Sequence, residues 1–353
     1  MVPHSRPTLG PEEREAVLAV LESGHVAQGP RCREFERAVA KRLGVGHACC
    51  VSSGLAALHL TLLGLGTGPG DEVMLPSLVC EALLHAVHYC GAAPVIVDVE
   101  SETGNLDAAR AAEAASPRTR CVIVPHMFGT PARMDALAGL GLPILEDCAI
   151  AIGAEYRGRK VGSFGTAGVL SFYATKVLCT GEGGMVVTDD ARLAAAVDDL
   201  RDYTGKPDFH TRFNYKMTDL AAAMGIEQLK KLDAFIRRRR ELAALYDRLL
   251  GPVPGVERPR MDRHGGSIFY RYVVRVSADR RDRVRRYMAG EGVQCGLGVL
   301  HPLHRLLPGA APRPCPVSEE WADRSLSLPI YPLLTDSQAR RVAQVLAEAM
   351  ERA

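Results

Sequence analysis

Apolar residues first recur at helical spacing over residues 11–23, where Val17, Leu18, Val20 and Leu21 form one face. Pro11 suits a first helical turn, Glu12 and Glu13 suit the positive end of the helix dipole, and Gly24 suits the stop. From Ala48 the pattern changes to short apolar runs alternating with helical stretches. Residues 48–51, 72–75, 94–99, 121–125, 143–146, 168–172 and 184–188 are predicted strands. Helices are predicted after Ser53 to about residue 65, over 80–90 and around 134–140. This alternation predicts an α/β fold: a mainly parallel central sheet flanked by helices, with its chemistry where strands end and loops begin.

Beyond this region the period lengthens. A long helix is predicted from Thr218, a good N-cap, with Leu220, Met224, Leu229, Leu232 and Phe235 among its apolar positions. The run Arg237-Arg238-Arg239-Arg240 continues it and reads as a solvated face, with an anionic ligand or partner as the alternative. Residues 251–260, carrying Pro252, Pro254 and Pro259, read as a linker. A strand over 269–276 and helices over 282–291 and 336–352 then make a smaller α+β unit. The expected division is a large domain, 1–250, and a small C-terminal domain, 251–353.

Composition narrows the classes. Of 353 residues, 47% are hydrophobic and 24% charged, which excludes a long disordered chain. A formal charge of +2 argues against a general nucleic-acid binder. No apolar run approaches the length of a membrane span and no signal peptide is visible, so a cytoplasmic protein without membrane partners is expected. The ten cysteines form no C-x-x-C pair and sit mostly in apolar segments. They read as buried reduced thiols; no zinc or iron–sulfur ligand spacing is present, and no metal is expected.

Four loop segments carry candidate chemistry. Ser52-Ser53-Gly54-Leu55-Ala56 joins a strand to a helix, where small residues and the helix dipole suit an anion. Glu146-Asp147-Cys148-Ala149 places carboxylates at a strand's C-terminal end, as a cap or as a catalytic anion. Ser171-Phe172-Tyr173-Ala174-Thr175-Lys176 brings a lysine close to a buried strand, with Gly181-Glu182-Gly183-Gly184 following. Burial or nearby cations depress a lysine pKa and make its amine nucleophilic. Asn214-Tyr215-Lys216-Met217-Thr218-Asp219 precedes the long helix. A nucleophilic lysine, a carboxylate and an anion-binding helix start together suggest pyridoxal 5′-phosphate (PLP) chemistry.

With these motifs in order the chain resembles the DegT/DnrJ/StrS aminotransferases, the sugar aminotransferase branch of fold-type I PLP enzymes. Ser23-Gly24, Gly29-Pro30 and Phe35-Glu36 match the family's opening, and GTGPGDEVMLP at 66–76 is a strong match. Pro302-Leu303-His304 and Leu326-Ser327-Leu328-Pro329 match its C-terminal signatures. The resemblance implies that Lys176 is the Schiff-base lysine and proton shuttle, and that Asp147 pairs with the pyridinium nitrogen. It implies that Ser171 and the amides around Gly54, Leu55 and Ala56 bind the phosphate, with Cys80 and Ile150 beside the cofactor. Asn214 is expected to reach the phosphate of the other subunit's cofactor, making a homodimer with shared sites. The implied reaction moves an amino group from an amino acid, with L-glutamate the expected donor, to a nucleotide-linked keto sugar or a keto-cyclitol in antibiotic or polysaccharide biosynthesis. The alternative is a PLP enzyme of the same fold with an altered reaction type or a non-sugar substrate. His25, Gln28, His301 and His304 are the candidate acceptor contacts. Leu55, Cys80, Ile150, Ile152 and Val177 depart from the usual Thr, aromatic, Gln, His and Asn, and make the pocket more apolar.

Overall fold

Pro11 starts α1 (Pro11–Ser23) and Gly24, at φ 73, ends it, as the capping pattern predicts. The computed structural model describes residues 1–258 and 266–352. A second helix that the pattern does not anticipate follows, α2 (Pro30–Leu43), seated by the narrow stripe Cys32, Phe35, Val39 and Leu43. Next come β1 (His47–Val51), α3 (Gly54–Gly64), β2 (Glu72–Pro76), α4 (Ala82–Tyr89), β3 (Ala93–Val97) and α5 (Ala108–Ala114). β4 (Thr119–Pro125), α6 (Met134–Ala138) and β5 (Ile144–Asp147) lead to the hairpin of β6 (Glu155–Tyr156) and β7 (Arg159–Lys160). β8 (Ala167–Ser171), β9 (Gly184–Thr188), α7 (Ala191–Leu200) and the long α8 (Asp219–Leu250) complete this part. The remainder holds β10 (Tyr272–Arg275), α9 (Ala278–Gly290), α10 (Leu303–Leu306), α11 (Pro316–Arg324), β11 (Ser325–Leu328) and α12 (Asp336–Arg352).

The central sheet has seven strands in the order β1-β9-β8-β5-β4-β2-β3. Only β9 runs against its neighbours, pairing antiparallel with β1 and β8. The other pairings are parallel, as the alternating pattern predicts. Every residue of β2 and β9 is buried, which is why these strands read as continuous apolar runs. The topology delivers the C-terminal ends of β1, β8, β5, β4 and β2 to one edge of the sheet. Since β9 is reversed, its first residue, Gly184, arrives at that same edge.

A second apolar core lies behind the β10–β11 pair. It gathers Tyr272, Val274, Val284, Met288 and Leu346 together with Val2 and the last turns of α8, including Leu242 and Tyr246. The strand expected over 269–276 is confined to Tyr272–Arg275. Phe269 sits at φ 48, and the amides of Ile268 and Arg271 donate instead to the carbonyls of Gly129 (3.0 Å) and Phe128 (3.2 Å). The solvated face expected for 237–240 needs correction at Arg239. That side chain is buried, and its Nη1 donates to the carbonyls of Tyr270 (3.1 Å) and Ile330 (2.9 Å). Burial pushes the Arg239 guanidinium down to about 10. Of the expected linker, Pro259 and Arg260 lie outside the described residues.

One buried carboxylate ties α2 to α8. Asp219, the first residue of α8, accepts hydrogen bonds from the amides of Gly29 (2.8 Å), Arg31 (3.1 Å) and Cys32 (2.9 Å) at the start of α2. Those amides have no intrahelical acceptor, and an anion suits the positive helix end. Asp219→Ala is expected to destabilise the protein by about 2–4 kcal/mol, because it orphans buried donors. Equilibrium denaturation in urea checks this.

Candidate active site

At the edge where parallel strands end, a cavity of about 340 Å³ opens. Asp147, the last residue of β5, and Lys176, on the loop after β8, both line it. Cys80, Ile150 and His301 line it too, so these sequence candidates meet in one place. Val79, Glu81, Pro125, Met127, Phe128, Tyr270, Arg271, Val299, Leu300 and Leu306, which sequence reasoning missed, complete most of the wall.

Backbone hydrogen bonds hold the lysine loop. The Phe172 amide donates to the Gly183 carbonyl (2.8 Å), the Thr180 amide to Phe172 (2.8 Å), and the Lys176 amide to Tyr173 (2.8 Å). Lys176 Nζ lies 5.7 Å from the centroid of the Tyr270 ring. Burial would raise the Tyr270 phenol, but the charges of Arg271 and Lys176 outweigh it and lower its pKa.

Asp147 is buried, and its Oδ1 accepts from the Ala149 amide at 3.0 Å. Burial raises its pKa, against the opposing pull of that amide, of Lys176 and of His126. Behind it lies a fully buried pair: His126 Nε2 stands 3.0 Å from Glu146 Oε2. His126 Nδ1 accepts from the Ala132 amide (3.0 Å), so the ring proton must sit on Nε2 and donate to Glu146. Glu146 also receives the amides of Gly162 (2.8 Å), Phe164 (2.6 Å) and Gly165 (2.8 Å). Burial opposes its charge, but the His126 bond and these amides outweigh that and hold the Glu146 carboxyl below the usual range. The His126 amide donates to the Asp147 carbonyl (3.2 Å), which links this network to the site.

The small-residue loop lies at the start of α3. Ser53 caps the helix, its Oγ accepting from Ala56 N at 3.0 Å. Helix geometry leaves the amides of Gly54 and Leu55 without intrahelical acceptors. Ser171, ending β8, presses against Gly54: a Cβ there would stand 2.9 Å from Ser171 Cβ and 3.2 Å from its Oγ. A Cβ at Gly184 would run into the Ser53 carbonyl. Two glycines thus let β8, β9 and the helix start converge, with free helix-start amides suited to an anion; Gly54, Leu55, Ala56 and Ser171 do not line the cavity itself. Asn214 is exposed on the loop before α8. His25 is exposed near the end of α1 and Gln28 half-buried before α2; neither lines the cavity. His304 also stands outside it, its Nδ1 2.6 Å from Ser77 Oγ.

An amine, a buried carboxylate and an anion cradle on a mostly parallel sheet define a PLP-dependent transferase of fold type I. The profile of the DegT/DnrJ/EryC1/StrS aminotransferase family matches residues 7–347, and the chain belongs to that family. A GDP-perosamine synthase of Caulobacter vibrioides is 35% identical, over 98% of this chain and 97% of its own length. The crystal structure of the aminotransferase TlmJ from Streptoalloteichus hindustanus superposes with a TM-score of 0.95 at 36% identity, covering 100% of this chain and 99% of that one. DesV of S. venezuelae, solved in complex with a ketimine intermediate, gives 0.91 at 37% identity, covering 97% and 95%. The enzyme is an aminotransferase and its cofactor is PLP.

The residues present fit that group. Lys176 would offer an amine to its aldehyde, and Asp147 would offer an anion to its ring nitrogen. The Gly54 and Leu55 amides with Ser171 suit its phosphate. The close fit at Gly54 makes a prediction: Gly54→Ala displaces Ser171 and weakens PLP binding by roughly 1–3 kcal/mol, a factor of about 5 to 150. Titration of the cofactor-free protein with PLP, followed by absorbance, measures it.

Proposed function

We propose that this aminotransferase carries an amino group from L-glutamate to a nucleotide-linked keto sugar or a keto-cyclitol, in antibiotic or polysaccharide biosynthesis. The observation that carries the proposal is the shared cavity of Lys176 and Asp147, walled largely by apolar side chains. When bound, PLP supplies an aldehyde that captures amino groups and a cationic ring that withdraws electrons. Lys176 Nζ, once released, carries the proton taken from the donor's α-carbon. Asp147 holds its negative charge against the ring nitrogen, where positive charge must persist. The Gly54 and Leu55 amides with Ser171 would hold the phosphate, and Cys80 and Ile150, which line the cavity, would offer the ring no charged partner. His301 lines the cavity and is the acceptor contact proposed there; His25, Gln28 and His304 are given no contact with substrate inside this chain's own cavity.

A homodimer follows on this reading, with the exposed Asn214 reaching the partner's cofactor phosphate. The chain divides into a cofactor-holding part, 1–250, and a smaller part, 251–353; the core behind β10 and β11 supports a second unit, into which Val2 and the last turns of α8 also pack. Ten unpaired cysteines fit the reducing cytoplasm. No helix among the described residues is long and apolar enough to cross a membrane.

The test is a screen of keto-sugar nucleotides and keto-cyclitols against the pyridoxamine form of the enzyme. Return of the PLP absorbance with one of them is the expected result. Return with simple keto acids alone would favour the non-sugar alternative, which Cys80 and Ile150 in the wall make the competing reading.

A further inference from the structure

Arg271 is a cation in the cavity that the lysine and carboxylate chemistry leaves unused. It is half-buried, lines the cavity with Lys176, and lies with its Cζ 4.9 Å from the centroid of the Tyr270 ring. Lys176 Nζ stands 5.7 Å from the same centroid. Among the described residues no carboxylate lies within ion-pair distance of Arg271. Its Nη1 approaches the ring of His4 instead, 2.8 Å from Nδ1 and 2.9 Å from Nε2. His4 Nε2 in turn stands 2.9 Å from Ser327 Oγ on β11. Burial, with the Arg271 charge added, lowers His4 to about 3, so its ring is neutral and offers a lone pair without neutralising the guanidinium. The segment that carries His4 is itself tied down, with the Val2 amide donating to Gly292 (2.7 Å) and Gln294 donating back to Val2 (3.0 Å).

A half-buried guanidinium with no counter-ion is costly unless an anion arrives with a ligand. Asp147 is already committed to the ring nitrogen, and the phosphate cradle at Gly54 and Ser171 serves the cofactor. We propose that Arg271 receives the α-carboxylate of the amino donor, with His4 as the residue that positions it. This rests on the amino-acid-donor reading above. Distance separates it from the other anion in the reaction. The donor's carboxylate is bonded to the same carbon as the amino group that takes the place of Lys176 Nζ. A nucleotide's diphosphate is held away from the reacting carbon by the sugar ring. The planar guanidinium also matches a carboxylate with two parallel hydrogen bonds.

The experiment titrates holoenzyme with glutarate, a dicarboxylate with no amino group, by isothermal calorimetry. Wild type is expected to bind it, Arg271→Gln to lose roughly tenfold or more in affinity, and Arg271→Lys to lose less. His4→Ala is expected to raise KM for glutamate while kcat stays near wild type, the signature of a positioning residue rather than a merely structural one. Glutarate binding unchanged in Arg271→Gln overturns the proposal. So does a loss confined to thymidine diphosphate, which would give Arg271 to the acceptor. Arg271-dependent glutarate binding in an enzyme that takes no amino group from any amino acid would instead sink the donor reading and leave the carboxylate site standing.

Discussion

Lys176→Ala is expected to lower aminotransferase turnover by at least about 10⁴-fold. On the proposed reading, one side chain supplies both the amine that holds the cofactor and the base that moves the proton. Proton transfer by a positioned group contributes about 10²–10⁴ alone, and loss of the covalent link adds to it. The loop should survive the change, because Phe172, Thr180 and the residue 176 amide are held by backbone bonds. Two measurements separate chemistry from folding. Single-turnover conversion with glutamate reads the rate. Borohydride treatment followed by peptide mass analysis should place the cofactor's mass on the Lys176 peptide of wild type and nowhere in the variant. A variant that transaminates near the wild-type rate, or a wild type labelled at another lysine, would refute the assignment.

The placement of Asp147 and Lys176 was readable because both sit in short contiguous motifs at strand ends. Asp147 ends β5 and Lys176 follows β8, and a parallel sheet must bring such ends to one edge. The rest of the cavity wall was not readable in that way. Tyr270 and Arg271 come from a segment far along the chain that looks like the start of a strand. A positive φ at Phe269 ends that pattern, and the segment bonds to the turn at Phe128 and Gly129 instead. Phe128 itself stands at φ 57. Such conformations in non-glycine residues cost of order 1–3 kcal/mol each and persist only where surrounding contacts fix them. Both flank the active site, and neither leaves a mark in hydropathy.

Charge misled at one place and burial at another. Four consecutive arginines read as solvated, yet Arg239 points inward because the carbonyls of Tyr270 and Ile330 have no strand partner there and take its donors. α2 went unseen because only Cys32, Phe35, Val39 and Leu43 are buried among many charged neighbours. That spacing is helical, but the average is polar. α1 and α12 were legible to their ends, since Pro11 and Gly24 cap one and a full amphipathic period defines the other.

The second large effect is a trade between activity and stability at Asp147. Asp147→Asn keeps the size and the Ala149 hydrogen bond but removes the charge proposed to face the ring nitrogen. Turnover should fall by about 10²–10³-fold, the scale of losing one preorganised electrostatic contact. Stability of the cofactor-free protein should move the other way. Burial raises the Asp147 pKa above its unfolded value, so the folded chain holds this proton more tightly. Stability therefore falls as pH climbs from below the usual carboxylate range through the raised pKa, then stays flat. Asparagine has no proton to lose and escapes that fall. At neutral pH the cofactor-free variant should melt at or above the wild-type temperature, and the gap should close in acid. Melting curves across pH with and without PLP test this. A variant less stable by the same amount at every pH would mean that the ionised carboxylate is no burden to the fold, and that its place at the end of β5 is structural rather than reserved for a cation.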